Sequence, residues 1–198
     1  MTAAGQQETL VESIKFSHKE TEIRKIVRTY FHQSRRIGFS TWSLDDRLLA
    51  QGLWGDEEVT RYHGGSWSSQ QIEDRLASEV AMLQQEGVQY WPMFLLETGE
   101  HIGCCGLHPR DKPVDVWELG CHLRRTFWSQ ALGREAAQAI IAYAFGTLGV
   151  AAIFAGHHPM NLASKRFLHY LGFRYTHDEF YPSTQIVEPC YLLRPTHS

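Results

Sequence analysis

The stretch HLRRTFWSQALGREAAQAIIAYAFGTLG, residues 122–149, decides the fold, because it joins a small-residue turn directly to a strongly periodic helix. Ser129, Ala131 and Gly133 let the backbone turn closely, leaving the amide N–H groups of residues 129–133 available at the helix start. Such donors, with the partial positive charge of a helix N-terminus, suit an anion such as a phosphate. Arg124, Arg125 and Arg134 add positive charge nearby. The stretch is neither GxxxxGK[ST] nor GxGxxG. No Lys reaches a terminal phosphate and no Asp follows on the next strand to hold a ribose, so nucleotide hydrolysis and hydride transfer lose their support.

Working outward, VWELGCHL (116–123) alternates as a strand, with Leu119, Cys121 and Leu123 on one face and Glu118 and His122 on the other. YWPMFLLE and HIGCCGLH, separated by TGE, read as an antiparallel hairpin, and Pro109 and Pro113 are expected to keep the following connection out of the sheet. Residues 68–85 carry Ile72, Leu76, Val80 and Leu83 on a helical face, after a loop marked by Gly64-Gly65. Further upstream, IGFSTWS reads as a strand, Ser43 with Asp46 as an N-cap arrangement, and residues 18–32 as a helix with Ile23, Ile26, Val27 and Tyr30 on one stripe. Downstream, the long helix ends near Gly146 or Gly149. A strand VAAIFAG, a helix from about Leu162 to Leu171, and strands beginning at FRYTH and EPCYLLRP follow. There is no repeat and no linker. The expectation is an α/β fold, one mixed and mostly antiparallel sheet with helices on both faces, formed by residues 36–198 and preceded by an extension, 1–35, whose helix packs on it.

With 19 Lys+Arg against 22 Asp+Glu, the formal charge of -3 gives no global attraction to nucleic acid or an anionic membrane. The aromatics form no aromatic-basic stripe, so no specific nucleic-acid readout is expected. Cys104, Cys105, Cys121 and Cys190 lack CxxC spacing and read as free thiols of a reducing compartment. The first residues show neither a signal peptide nor an apolar run that would cross a bilayer, so a cytoplasmic protein without membrane contact is expected. His157 and His158 adjoin, but neighbouring strand residues point to opposite faces and no Cys/His cluster completes a ligand set, so no metal is expected.

In order along residues 36–194, STWSLDDRLLAQGLWGDEEVTRYHGG, HIGCCGL, WELGCHLRRTFWSQALGREAAQAIIAYAFGTLGVAAI and NLASKRFLHYLGF (161–173) resemble the GCN5-related N-acetyltransferases, specifically the branch of ribosomal-protein alanine acetyltransferases. The resemblance implies a sheet whose central strands splay into a cleft for acetyl-CoA. Pantetheine would pair with backbone around Cys121, Leu123 and Arg124, and the pyrophosphate would sit on Ser129, Gln130, Ala131, Leu132, Gly133 and Arg134. Asn161 and Ser164 would meet the pantetheine or thiol region, with Phe167 packed nearby. Two departures stand out. Ser129 replaces the first loop glycine, a substitution that costs about 1 kcal/mol if the backbone there is left-handed. Leu168 stands where many relatives place a tyrosine that protonates the departing thiolate.

Moving an acetyl group from a thioester to an amine needs the amine neutral and a place for its proton. An α-amine, with a reference pKa of about 7.7 to 8.0, needs less help than a lysine-like amine at about 10.4. Glu118, on the strand beside the inferred cleft, is the leading base, with His122 on the same strand face as another proton carrier and Ser164 as an aid to the thiolate. A surface Glu118 paired with an arginine, a structural His122 and a Ser164 bonded within its helix stand as the plain alternatives. Trp42, Trp54, Tyr62, His63, Trp67, Tyr175 and Tyr181 would line an acceptor pocket or fill the core, and Asp178 and Glu179 would attract an amine there. The reading is an acetyl-CoA-dependent N-acetyltransferase acting on a primary amine, a protein N-terminal amine ahead of a small-molecule amine. A non-catalytic acyl-CoA-binding protein is the alternative, and a homodimer stays open beside a monomer.

Overall fold

The computed structural model describes residues 28–182 and 184–195. One eight-stranded sheet spans them: β1 (His32–Gln33), β2 (Ile37–Phe39), β3 (Tyr90–Leu95), β4 (His101–Asp111), β5 (Val116–Leu123), β6 (Ala152–Gly156), β7 (Arg174–Tyr181) and β8 (Ile186–Leu193), in the order β1-β2-β3-β4-β5-β6-β8-β7. Every neighbouring pair is antiparallel except β5 and β6. The helices are α1 (Arg47–Trp54), α2 (Glu57–Thr60), α3 (Ser69–Glu86), α4 (Leu132–Tyr143) and α5 (Leu162–Tyr170). This is the mixed α/β sheet that the sequence pattern implies. No helix among the described residues is long and apolar enough to cross a membrane.

Strand alternation divides the interior into two layers. On one face Trp91, Cys105, Leu107, Leu119 and Ile153 pack against Leu132, Ala136 and Ile140 of α4, whose alanines let helix and sheet approach closely. On the other, Tyr90 and Cys104 meet Trp54 of α1 and Ile72 and Leu76 of α3. Local signals set the helix ends. Ser43 and Asp46 form a reciprocal capping box, Ser68 and Gln71 form another at the start of α3, and Gly87 closes α3 in the left-handed conformation at φ 74°.

Two expectations change. The helix read over residues 18–32 falls largely outside the described residues, and its last part is not helical: residues 28–31 are irregular, and His32–Gln33 form β1, paired back onto β2. Aromatic packing overrides the helical stripe, since Phe31 lies 5.0 Å from Trp91 and Tyr30 lies 6.1 Å from Phe94, ring centre to ring centre. Pro109 does not leave the sheet. It pairs with Trp117 inside β4, between hydrogen-bonded pairs of the β4–β5 ladder and beyond the reach of β3, where a missing N–H is tolerated.

One polar group is built into the helical layer. Glu79, fully buried, follows Ile72 and Leu76 on the inner face of α3. Its carboxylate forms an ion pair with Arg75 at 2.6 Å and accepts from His108 Nε2 at 3.0 Å and from the backbone N–H of Tyr90 at 2.7 Å. Burial opposes the charge, but these partners outweigh it and hold the carboxyl below its ordinary pKa. Its contribution is therefore present above the unfolded carboxyl pKa and fades as pH falls through the lowered folded value. Glu79→Ala should lower unfolding free energy by about 3 kcal/mol or more at neutral pH, because Arg75 is left buried without its partner. Urea unfolding of both proteins at neutral and acid pH checks this, and the gap between them should narrow on acidification.

Candidate active site

The β5–β6 pairing is short: Val116 meets Ala152, Trp117 meets Ile153 and Glu118 meets Phe154, after which β6 pairs only with β8 while β5 continues along β4 to Leu123. In the β4–β5 ladder Arg124 N–H bonds Ile102 C=O at 2.9 Å, so by alternation Cys121 and Leu123 turn their backbone groups into the gap beside β6. The Leu123 carbonyl accepts from Trp128 Nε1 at 2.9 Å on that side. An extended, amide-bearing chain finds donors and acceptors here that the sheet leaves unused.

Past β5 the chain makes a short turn at Arg125–Phe127 and enters α4 through Ser129 and Ala131, both left-handed at φ 61° and 60°. The backbone N–H groups from Ser129 to Arg134 have no acceptor among the described residues, while Glu135 N–H makes the first helical bond, to Ala131 C=O at 3.1 Å. Consecutive free donors at a helix start make an anion-binding concavity. The turn is braced from outside. Glu135 accepts from Ser34 Oγ, Arg36 N–H and Arg36 Nε, each at 2.7 Å, and Arg36 also bonds the Gln130 carbonyl at 3.2 Å. Those partners hold the Glu135 carboxyl below its usual pKa against a burial cost.

The residues that the sequence resemblance assigns to the coenzyme lie in different surroundings. At Gly133 a Cβ would lie 3.2 Å from Leu123, 3.8 Å from Phe167 and 3.9 Å from the Cys121 sulfur, so β5, the turn and α5 meet there and a larger side chain would crowd them. Leu132 is buried and Cys121 packs on the core, opposite Cys105. Asn161 caps α5, accepting from Ser164 N–H at 3.0 Å, and the Ser164 hydroxyl has no partner among the described residues. The Arg124 side chain is not directed at the turn, because it donates to the His101 carbonyl at 2.9 Å. Arg134 lies over the Tyr170 ring at 4.1 Å, and Arg125 is exposed. Leu168 is buried in the core.

Glu118 stands at the last parallel pair, half-buried, on the face carrying Tyr90 and His108. It has no hydrogen bond or ion pair among the described residues, and burial raises its pKa although Arg110, His108 and Arg75 pull the other way. Arg110 is held instead by Glu179 and lies over Phe154 at 4.4 Å. His122 accepts at Nδ1 from Trp54 Nε1 at 3.0 Å, which places its proton on Nε2, and burial drives its pKa well below the usual histidine value. It is a neutral donor, facing His63 across 4.8 Å.

Of the pocket aromatics, Trp42 and Trp54 are core residues. Tyr62 packs against His158, ring centres 4.9 Å apart and tilted, and donates to the Met160 carbonyl at 3.3 Å, tying this part of the chain to the turn after β6. Tyr175 stands apart, against Tyr191, and its hydroxyl donates to Asp178, so neither Tyr175 nor Asp178 joins Glu118. Tyr181 reaches Gly156. Sequence reasoning missed Arg110 and Glu188; the visible signal was a lone glutamate in the apolar run IVEPCYLL. His157 and His158 are engaged in local bonds to the His158 carbonyl, Tyr191 and Met160 N–H. A different trio, His177, Glu179 and Cys190, brings three donor atoms within 4.8 Å of one another. Arg110 already holds that carboxylate, and burial pushes the Cys190 thiol up to about 11, so the donors are poorly prepared for a cation.

A splayed pair of parallel strands with free backbone groups, beside an anion-ready turn into a helix, defines a transferase that draws on an acyl-coenzyme donor. Residues 36–174 match the Acetyltransferase (GNAT) domain model, and the chain belongs to that family of acetyltransferases. It is 29% identical over 143 residues to an uncharacterized N-acetyltransferase, p20, of Bacillus licheniformis, covering 71% of this chain and 80% of that one. A GNAT-family acetyltransferase from Bacillus anthracis superposes with a TM-score of 0.71 at 18% identity, over 82% of this chain and 97% of that one. A ribosomal L7/L12 alpha-N-protein acetyltransferase superposes with a TM-score of 0.71 at 12% identity, over 82% and 92%. These superpositions speak for the fold.

The left-handed backbone at Ser129 generates a test. Ser129→Gly should raise unfolding free energy by roughly 0.5 to 1 kcal/mol, the left-handed penalty of an L-residue less the extra chain entropy that glycine loses. A urea midpoint that stays put or falls would mean Ser129 holds this conformation without strain.

Proposed function

We propose that this acetyltransferase is an acetyl-CoA-dependent N-acetyltransferase acting directly on a primary amine, with Glu118 as the base that takes the amine proton, directly or through water. The observation that carries this is the unpaired Glu118 carboxylate at the fork of β5 and β6. When bound, acetyl-CoA supplies the acetyl group as an activated thioester. Its pantetheine would run along Cys121, Leu123 and the Arg124 backbone, and its pyrophosphate would rest on the free N–H groups of Ser129, Gln130, Ala131, Leu132, Gly133 and Arg134. Asn161 and Phe167 would border the arm.

In the reaction the amine nitrogen bonds to the acetyl carbon, the carbon–sulfur bond breaks, and the amine proton passes to Glu118. A backbone N–H facing the gap would stabilise the developing oxyanion. With Leu168 in the tyrosine position, the free Ser164 hydroxyl or water would donate to the departing sulfur. His122, neutral and protonated on Nε2, would serve as a donor to the acceptor.

A protein N-terminal amine is the acceptor favoured by the likeness to ribosomal-protein acetyltransferases. A small-molecule amine is the second reading, favoured by Glu118 and Glu188, neither of which has an ion-pair partner among the described residues. Retained coenzyme binding without transfer to any amine would instead indicate a binding protein.

Glu118→Gln should keep coenzyme affinity and lower kcat by roughly a hundredfold or more. Since the active form of the base is ionised and its pKa is raised, the wild-type rate should fall as pH drops through a value above the ordinary carboxylate range. Rate profiles measured with thiol release and product mass decide it: equal profiles for wild type and variant would remove Glu118 from the chemistry.

A further inference from the structure

Gly156 ends β6 on the face shared with Glu118, two residues beyond Phe154, its partner in the parallel pair. At Gly156 an added Cβ would have Tyr181 Oη at 3.3 Å and Glu188 Oε2 at 3.8 Å as its nearest neighbours, so the missing side chain lets a phenol and a carboxylate close over the backbone at a shallow notch. The Tyr181 hydroxyl is buried without a hydrogen-bond partner among the described residues, the Cys190 sulfur beside it being a weak acceptor. Glu188 is only 8% exposed, yet among those residues its only hydrogen bond comes from Thr184 Oγ1, at 3.4 Å to Oε1. Its Oε2, the atom at the notch, has none. A carboxylate oxygen without a protein partner on a mostly buried residue gains from a donor that brings its own charge.

The charges nearby sharpen the point. Glu79 is matched by Arg75 and His108, and Glu179 by Arg110 and His177. Glu118 and Glu188 have no cation within ion-pair distance among the described residues, which leaves two uncompensated carboxylates on one wall. Two residues of strand separate their stations along β6, about 7 Å at 3.3 Å per residue.

We propose that Glu188 and Tyr181 form an acceptor subsite over Gly156 that binds a second cationic group of the acceptor, so that the enzyme prefers amines carrying two positive charges. This rests on the reading of the Glu118 wall as the place where the amine reacts. The reacting nitrogen lies at Glu118 and gives up its proton. The second group stays protonated, donating to Glu188 Oε2 and the Tyr181 oxygen. A free diamine and a peptide with a basic side chain close to its terminal amine share this chemistry.

The test compares kcat/KM for diaminobutane with that for butylamine, and for a peptide bearing lysine at its second position with its norleucine counterpart, in wild type and Glu188→Gln. Wild type should prefer the doubly charged member of at least one pair, with the pair preferred telling a small diamine from a peptide. Glu188→Gln should shrink that preference roughly tenfold or more, the loss expected for a hydrogen bond to a buried charge. Gly156→Ala, which fills the notch and leaves both carboxylates in place, should shrink it too and serves as the probe if the glutamine variant does not fold. Equal kcat/KM within both pairs in wild type, or a preference that survives both substitutions, overturns the subsite while leaving amine acetylation intact. No transfer to any of the four amines overturns the amine-acetyltransferase reading itself, and the subsite with it.

Discussion

The structure depends on where the parallel pairing of β5 and β6 stops. The strands share three residue pairs and then answer to different partners, β5 to β4 and β6 to β8. A sheet strand keeps its hydrogen bonds by following a neighbour, and sheet twist carries those neighbours apart, so a gap must open after Glu118. The gap leaves the backbone groups of Cys121 and Leu123 without a strand partner in the middle of a sheet, where such groups persist only if something else bonds them, as Trp128 Nε1 does the Leu123 carbonyl. The turn into α4 and the start of α5 border the same gap, brought together at Gly133 by Leu123 and Phe167. One topological event thus positions a backbone for an extended ligand, donors for an anion and a carboxylate at the fork.

The turn is assembled at an energetic cost. Two non-glycine residues are left-handed in close succession, and a run of N–H groups is without acceptors among the described residues. Such a conformation persists when the surroundings over-determine it. The bracing comes from the β1–β2 hairpin, through Ser34 and Arg36 onto Glu135, and from Arg36 onto the Gln130 carbonyl. Because Glu135 is ionised well into mildly acid conditions, the brace is present at neutral pH and weakens only when the carboxyl protonates below its ordinary range. The donors are consequently arranged before any ligand arrives, which reduces the ordering cost of binding.

Local rules carried much of the sequence reading. The Ser43–Asp46 box, the α3 stripe, the hairpin around Gly99 and the small-residue turn at 129–133 follow from nearest-neighbour chemistry and were legible. The failures were tertiary. The helix read over residues 18–32 carries its stripe as far as Tyr30, but Phe31 packs on Trp91 and His32–Gln33 pair back onto β2. Pro109 sits in β4 because it falls between hydrogen-bonded pairs of the β4–β5 ladder and beyond the reach of β3, so no N–H is demanded there. The directions of Arg124 and Arg134 could not be read from proximity in sequence, since a carbonyl on β4 and a ring on α5 capture them. Glu188 was hidden for the same reason: its meaning comes from Gly156 and Tyr181, which are distant in the chain and adjacent in the sheet.

The uncompensated carboxylates also bear on how an amine is kept reactive. A carboxylate next to an ammonium stabilises the charged form and raises its pKa, which opposes the loss of the proton that attack requires. A single acidic residue that both binds the acceptor by its charge and removes that charge works against itself. Separate stations at Glu118 and Glu188 resolve the conflict in the proposed arrangement, with binding energy drawn from a charge that remains and chemistry performed on one that is lost. Glu118 is suited to the second task because burial raises its pKa and makes it a stronger base than an exposed carboxylate. Glu188 is suited to the first because its Oε2, without a protein partner among the described residues, gains from a partner that brings its own charge. With a formal charge of only -3 the whole molecule exerts little pull on a cation, so selection must arise from these local groups.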